Sequence, residues 1–424
     1  MKKKSKRGIL SLFFVLILLL AGFLLFKEVL KPRVEKVSVI KLPNGHFELQ
    51  VGKTPYFVKG VVYQPIPVGE DYSYNFWGDP AKPWLVDGVL MKEAGINTVR
   101  FYQPGQNPGE VKELIGDLYK KYKIRTIMGH NLGLYDFPLP CYADETYREQ
   151  MKEDVLKMVM EYKDEPAILF WLLGNENNYS FDDMISPWSS EELDQIDDPR
   201  ERSKQKARIY YSFVNELAKE IHKIDPKHPV AMGNGELFYL EIAKEVAPEV
   251  DLLGGIFYRG KSFGNFWQEL HYKFGKPVVF IEFGCDRFNA KTRKEDEDIQ
   301  AHFLEFQWKE IIRNSTGGRG RGNALGGCIF EWADEWWKHD PSNPAGWWVH
   351  DEEAGWTNGS YYFDIEVEGH MNMNEEWYGI VGLSAEKENG VNKRIPKRAY
   401  YVLKDIWSKS PDELFKPLRG KKVD

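Results

Sequence analysis

Two glutamates are the residues of this 424-residue chain best placed to do chemistry, because each stands at the end of an apolar run. Ala167-Ile-Leu-Phe-Trp-Leu-Leu173, bounded by Pro166 and Gly174, breaks abruptly into Asn175-Glu176-Asn177-Asn178. A run of that kind reads as a strand covered on both faces, as in parallel sheets, with Glu176 just past its carboxyl end. Pro277-Val-Val-Phe-Ile281 repeats the pattern and delivers Glu282. In α/β architectures the loops at the carboxyl ends of the strands converge on a crevice, so the two carboxylates are expected to face one another there. Such a pair can divide labour. One acid stays protonated to assist a departing oxygen, and the other stays ionised to attack or to activate water. The bond such a pair is suited to break is a glycosidic one.

The elements that must position the pair are legible as eight repeats of strand, loop and helix. The strands are expected at Phe57–Tyr63, Thr98–Tyr102, Arg125–Met128, Ile168–Leu173, Pro229–Met232, Leu252–Phe257, Pro277–Ile281 and Gly326–Phe330. Helices are expected at Trp84–Ala94, Pro108–Tyr122, Thr146–Tyr162, Ser203–Ile224, Leu237–Val246, Phe263–Phe274, Asp296–Arg313 and Lys397–Trp407. Eight such units, spaced by roughly 38 residues, predict an α/β fold of the (β/α)8 TIM-barrel type. An open doubly wound sheet is disfavoured, since no Gly-x-Gly-x-x-Gly turn follows the first strand. The predicted organisation is a basic tip and membrane anchor over 1–33, a β-hairpin cap over 34–55, the barrel over 56–410 and a tail over 411–424. Residues 331–394 form a long insertion before the last helix, too long for an idle connection. It holds seven of the 14 tryptophans, among them Trp332, Trp336, Trp337 and Trp377. Aromatic faces at a barrel mouth suit the C–H faces of sugars, and equally serve to pack a long loop together.

Gly174-Asn175-Glu176 on the fourth strand and Ile281-Glu282-Phe283-Gly284 on the seventh resemble the acid/base and nucleophile signatures of the clan-A retaining glycoside hydrolases. Over residues 56–408 the chain is most similar to the catalytic barrel of glycoside hydrolase family 2, on the strength of Glu282-Phe-Gly-Cys-Asp286, Phe330-Glu-Trp-Ala-Asp334 on the eighth strand, and Arg394 to Lys404, Arg-Ile-Pro-Lys-Arg-Ala-Tyr-Tyr-Val-Leu-Lys, in the last helix. The β-sandwich domains that usually precede that barrel have no room here. The resemblance implies that Glu282 is the nucleophile and Glu176 the general acid/base of a double displacement. It further implies that Asn175 bonds the sugar 2-hydroxyl, Arg100 keeps Glu282 ionised, Tyr258 hydrogen-bonds the nucleophile and Trp332 floors the subsite of the sugar being cleaved. His130, in Met-Gly-His-Asn after the third strand, is a candidate substrate contact or a structural hydrogen-bonding histidine. Asp334 and Glu335 either choose the sugar through its hydroxyls or belong to a solvated acidic loop.

The reaction expected is hydrolysis of β-linked oligo- or polysaccharide; transglycosylation on a cell-surface glucan and a non-catalytic carbohydrate-binding barrel are the alternatives. It implies no metal and no organic cofactor. Net charge is −7 even though five positive charges fall in the first seven residues, which disfavours nucleic acid as a partner. Gly8–Phe26 is 19 uncharged, mostly apolar residues behind that basic cluster, long enough to span a bilayer. Its flank predicts a single-pass anchor with the barrel outside the cytoplasm, or secretion after cleavage of a signal peptide. The three cysteines, Cys141, Cys285 and Cys328, lack any disulfide or metal spacing and read as packed thiols.

Overall fold

The computed structural model describes residues 34–136, 140–289, 292–338, 342–352 and 374–414. Eight parallel strands close into a barrel. In chain order they are β4 (Val58–Val62), β5 (Thr98–Phe101), β6 (Arg125–His130), β7 (Ile168–Leu173), β8 (Val230–Gly235), β9 (Leu252–Ile256), β10 (Val278–Phe283) and β13 (Ala324–Ile329), and β13 pairs back onto β4. The helices between and after them are α1 (Pro83–Ala94), α2 (Pro108–Asp117), α3 (Glu145–Tyr162), α4 (Pro199–Ile224), α5 (Leu240–Val246), α6 (Phe266–Lys273), α7 (Glu297–Arg313) and α8 (Arg398–Ser408). The expected TIM barrel is therefore present.

Several boundaries moved by a few residues, and two of the shifts have a clear physical reason. Helix α4 begins at Pro199, where Asp198 accepts the Arg200 N–H at 2.8 Å and proline takes the first helical position, a start signal the sequence carries four residues before the expected one. Strand β8 runs on through Gly233-Asn234-Gly235, three residues that pair with β9 although glycine usually weakens a strand. Close packing explains it, since a Cβ at 233 would lie 2.3 Å from the Gly174 carbonyl oxygen.

The core forms two layers. Val61, Val99, Met128, Trp171 and Leu173 pack outward against the helices, while Val62, Ile127, Leu172, Ala231, Val279 and Ile281 fill the barrel interior. A hairpin of β1 (Val37–Lys41) and β2 (Phe47–Val51), joined by the short β3 (Thr54–Pro55), lies under the amino-terminal end of the barrel, with Val37, Leu49 and Val51 in the interior cluster. Two further short pairs, β11 (Phe288–Asn289) with β12 (Lys294–Glu295) and β14 (Val381–Glu388) with β15 (Val391–Pro396), extend from the mouth loops. Arg394 thus falls on β15, ahead of the last helix to which the sequence assigned it. From there it forks onto Asp87 of α1 at 2.8 and 3.0 Å, and Tyr63 donates to the same carboxylate at 2.8 Å.

The predicted anchor lies outside the described residues. Among the described residues no helix is long and apolar enough to cross a membrane. All three cysteines are free thiols, Cys285 and Cys328 fully buried.

Candidate active site

Gly174 makes the turn that presents the first carboxylate. It sits at φ +79°, in the left-handed region, and a Cβ there would lie 2.3 Å from the Tyr210 hydroxyl, so only glycine fits without a shift. Beyond it the chain is clipped at three points: Asn177 Oδ1 accepts the Asn175 N–H at 2.8 Å, Asn177 Nδ2 donates to the Asn131 carbonyl at 2.9 Å, and Asn178 exchanges two bonds with the Gly235 backbone. These amides tie the Glu176 turn to the loop after β6 and to the end of β8.

Glu282, near the end of β10, is 6 % exposed and held from three sides. Arg100 Nη1 donates to its Oε1 at 2.8 Å, the Tyr102 hydroxyl donates to the same oxygen, and the Tyr258 hydroxyl reaches Oε2 at 3.5 Å. Burial and the Glu282 charge hold both phenols well above their ordinary range, so each remains a donor. Arg100 is itself buried and sends Nη2 to Asn175 Oδ1 at 2.5 Å, which couples the amide beside Glu176 to the cation beside Glu282. The guanidinium and the two hydroxyls thus direct three donors at the oxygens of this one buried carboxylate.

Glu176 stands in the opposite condition. Its carboxyl makes no hydrogen bond to any described residue, and burial together with the charges of Glu282 and Glu375 pushes it up to about 8, against the partial counterweight of Arg100 and Lys338. The surroundings therefore set the two acids apart: Glu282 meets a cation and two hydroxyl donors, whereas Glu176 has no such partner and its protonated form is favoured at neutral pH, a contrast that suits a division of labour between paired carboxylates.

Of the seven residues singled out by sequence, Glu176, Glu282, Arg100, Asn175 and Tyr258 come together. His130 is a neighbour of a different kind. Its Nδ1 accepts the Leu132 N–H at 3.2 Å, its carbonyl accepts the Gly174 N–H at 2.8 Å, and burial lowers its pKa, so the ring is a neutral clip of the third-strand loop. Trp332 is 1 % exposed and packs edge-on to Tyr400 at 6.5 Å, in the apolar layer between barrel and helices, where it offers a sugar no face. Phe330, two residues earlier, is the ring beside the nucleophile, edge-on to Tyr258 at 6.4 Å.

Tyr102 was missed although its signal was present: it lies two residues after Arg100, and the two-residue period of a strand puts both on one face. Tyr135, whose hydroxyl accepts Asn175 Nδ2 at 3.3 Å, comes from a loop without periodicity. Glu331 was missed as well, and Glu335, read as a sugar contact or part of a solvated acidic loop, is buried beside it. Glu331 is 0 % and Glu335 1 % exposed; burial raises both carboxyls, Glu331 further through the charge of Glu335 and Glu335 through that of Glu375, with Lys338 as a partial counterweight to each. Lys338 lies 3.0 Å from Glu335, pairs with Glu375 and sits 5.2 Å over the Phe330 ring. Asp334 is committed elsewhere, in a two-pronged pair with Arg287. Two tryptophans of the long loop bind it to itself, in the stack of Trp336, His350 and Trp377 with ring separations of 4.8 and 3.5 Å, while Trp337 reaches Tyr72 of the loop after β4 at 5.7 Å; Trp356 lies outside the described residues.

The eight-stranded parallel barrel, which here carries carboxylates at the ends of its fourth and seventh strands, is a fold that the chain shares with solved structures of family 2 glycosidases. Among solved structures it is similar to the β-D-glucuronidase of Dictyoglomus thermophilum (TM-score 0.55, 16% identity, 89% of this chain and 54% of that one). It is likewise similar to a family 2 β-galacturonidase of Eisenbergiella tayi (TM-score 0.53, 15% identity, 89% and 54%). Identities this low speak to fold alone. No protein-family model matches the chain. By sequence it is 27% identical over 277 residues to the 1,3-beta-glucanosyltransferase GAS4 of Saccharomyces cerevisiae, across 61% of this chain and 55% of that protein. The chain thus matches about half the length of this curated relative.

Proposed function

We propose that the protein is a retaining enzyme acting on β-linked glucan by double displacement, with Glu282 as nucleophile and Glu176 as acid/base. The observation that carries this reading is the contrast between the two acids: Glu282 is held by Arg100 and two tyrosine hydroxyls, whereas Glu176, with no hydrogen bond to a described residue, is pushed up to about 8. In the first step Glu282 Oε attacks the anomeric carbon and the C–O bond to the leaving sugar breaks. That oxygen takes its proton from Glu176. In the second step Glu176, now a carboxylate, removes a proton from the incoming hydroxyl, whose oxygen displaces Glu282 from the anomeric carbon and restores both acids. Asn175, fixed by Arg100 and Tyr135, is positioned to bond the 2-hydroxyl of the sugar.

When the incoming hydroxyl is water the outcome is hydrolysis, our primary reading. A second reading, transfer to an acceptor sugar, is favoured by the likeness to a 1,3-beta-glucanosyltransferase. A barrel that merely bound sugar would gain nothing from an acid kept protonated against a neighbouring anion. The basic and apolar amino-terminal residues support a place for the barrel outside the cytoplasm, anchored or secreted.

Incubation with a soluble β-1,3-glucan followed by chromatography of the products tests both outcomes, since shorter products alone mean hydrolysis and longer ones mean transfer. Glu282→Ala is expected to lose roughly 10⁴-fold or more in kcat. Glu176→Ala should impair glucan cleavage far more than cleavage of an activated aryl glycoside, whose leaving group needs no proton. Full turnover by Glu282→Ala would remove the mechanism.

A further inference from the structure

A second concave site lies at the other end of the barrel, where α7 ends and the chain turns into β13. Its cavity of about 430 Å³ is lined by Arg313, Arg319 and Arg321, with Asn265, Trp267 and Gln268 opposite. No acidic side chain lines it. None of the three guanidinium groups has a hydrogen-bond or ion-pair partner among the described residues, although most cationic side chains near the barrel's helices have one. Glu310, one turn back on α7, is spent on the Ser262 hydroxyl, the Phe263 N–H and the Trp267 indole at 2.9, 3.1 and 2.6 Å.

The arginines are carried on a turn that is itself fixed. In Thr316-Gly-Gly-Arg-Gly-Arg-Gly322, Gly320 N–H donates to the Arg313 carbonyl at 2.7 Å and Arg321 N–H to Asn314 Oδ1 at 3.0 Å, while Asn314 Nδ2 donates back to the Glu310 carbonyl at 2.9 Å. Gly318 and Gly320 permit this, because a Cβ at either would lie within 2.2 Å of Arg313 or Asn314 atoms. The Phe47 N–H and the Thr316 hydroxyl tie the same turn to the hairpin under the barrel. Three like charges are thereby collected into one cavity of a chain whose overall charge is −7, at a cost in mutual repulsion that no protein carboxylate offsets.

We propose that this cavity binds a phosphate group, as a phosphorylated small molecule or as the headgroup of an anionic lipid. Guanidinium groups match the oxygens of phosphate in two-pronged bonds, and three of them suit an anion of more than one charge. The volume admits a phosphoglycerol rather than a bare ion only. The site lies at the end of the barrel away from Glu176 and Glu282, so the inference does not depend on the reaction proposed for them.

The test uses the full chain and the triple variant Arg313→Gln/Arg319→Gln/Arg321→Gln. Since all three side chains are exposed, the variant is expected to fold, with an unchanged melting temperature as the check. Calorimetric titration with glycerol 3-phosphate should give saturable binding that weakens at least tenfold in the variant and declines with added salt. Flotation with phosphatidylcholine vesicles, with and without phosphatidylglycerol, distinguishes the sources: an increment that depends on the anionic lipid and is lost in the variant assigns the headgroup. Titration without that increment assigns the free phosphate ester. Absence of both, or binding that the triple substitution leaves unchanged, overturns the proposal.

Discussion

Glu176 and Glu282 are chemically identical side chains given opposite tasks by their surroundings. The surroundings of Glu176 also make its protonation adjustable. If Glu176 is the general acid, as proposed, its carboxyl, pushed up to about 8, would set the alkaline limit of activity, since the acid is lost as pH rises through that value. Glu375 raises it and Lys338 lowers it, so Glu375→Gln should move the alkaline limb of kcat/KM to lower pH and Lys338→Met should move it to higher pH. A pH–rate series on the three proteins checks this, and limbs that coincide would dissociate Glu176 from the acid role. A stability effect accompanies it. A carboxyl whose folded pKa lies above its unfolded value stabilises the fold below about pH 4.5 and loses that contribution as pH rises through about 8. Glu176→Gln should therefore melt higher than the natural protein at pH 9 and close to it at pH 4. How the site residues were legible follows from the same contrast. Glu176 and Glu282 were found because a buried strand ending in an acid is an unusual pattern. Tyr135 and Glu331 were not, and the burial of Glu335 was not foreseen, because their part in the site comes from loops folding back, a relation that no local spacing encodes.

At the scale of elements, the barrel strands were readable because burial on both faces gives unbroken apolar runs, and Ile168–Leu173 was found to the residue. The ends were less readable where packing overrules propensity, as at Gly233 to Gly235. The turn after β7 is the element on which the site depends most. Gly174 gives it a left-handed conformation with no room for a side chain. Gly174→Ala should destabilise the protein by roughly 1–3 kcal/mol and, by displacing Asn175 and Glu176, lower kcat more than it raises KM. Denaturant unfolding and steady-state kinetics on the variant check both halves; an active variant of ordinary stability would mean that the turn has slack. Trp332 illustrates the converse. The resemblance placed it at a subsite, but it lies beyond the end of β13, where strand alternation no longer sets direction, and it packs against Tyr400 of α8 in the layer between barrel and helices.

At the scale of the whole molecule, a closed barrel needs its two ends joined, and the chain does so with a buried charge pair as well as with β4–β13 pairing. Asp87 of α1 is 0 % exposed and takes both prongs of Arg394, which lies beside the last helix, while Tyr63 completes the site. Removing the cation would strand a buried carboxylate. Arg394→Ala is expected to cost about 3–5 kcal/mol, seen as a fall in the unfolding midpoint, and an unchanged midpoint would mean that the pair adds nothing to closure. The mouth that holds Glu176 and Glu282 and the arginine cavity lie at opposite ends of this barrel. The central claim is that Glu282 becomes covalently attached to the sugar during turnover. Mass spectrometry after incubation with a panel of 2-deoxy-2-fluoro β-glycosides tests it most directly. A glycosylated peptide containing Glu282 is expected, absent from Glu282→Ala, whereas a label on another carboxylate would exclude Glu282 as the nucleophile.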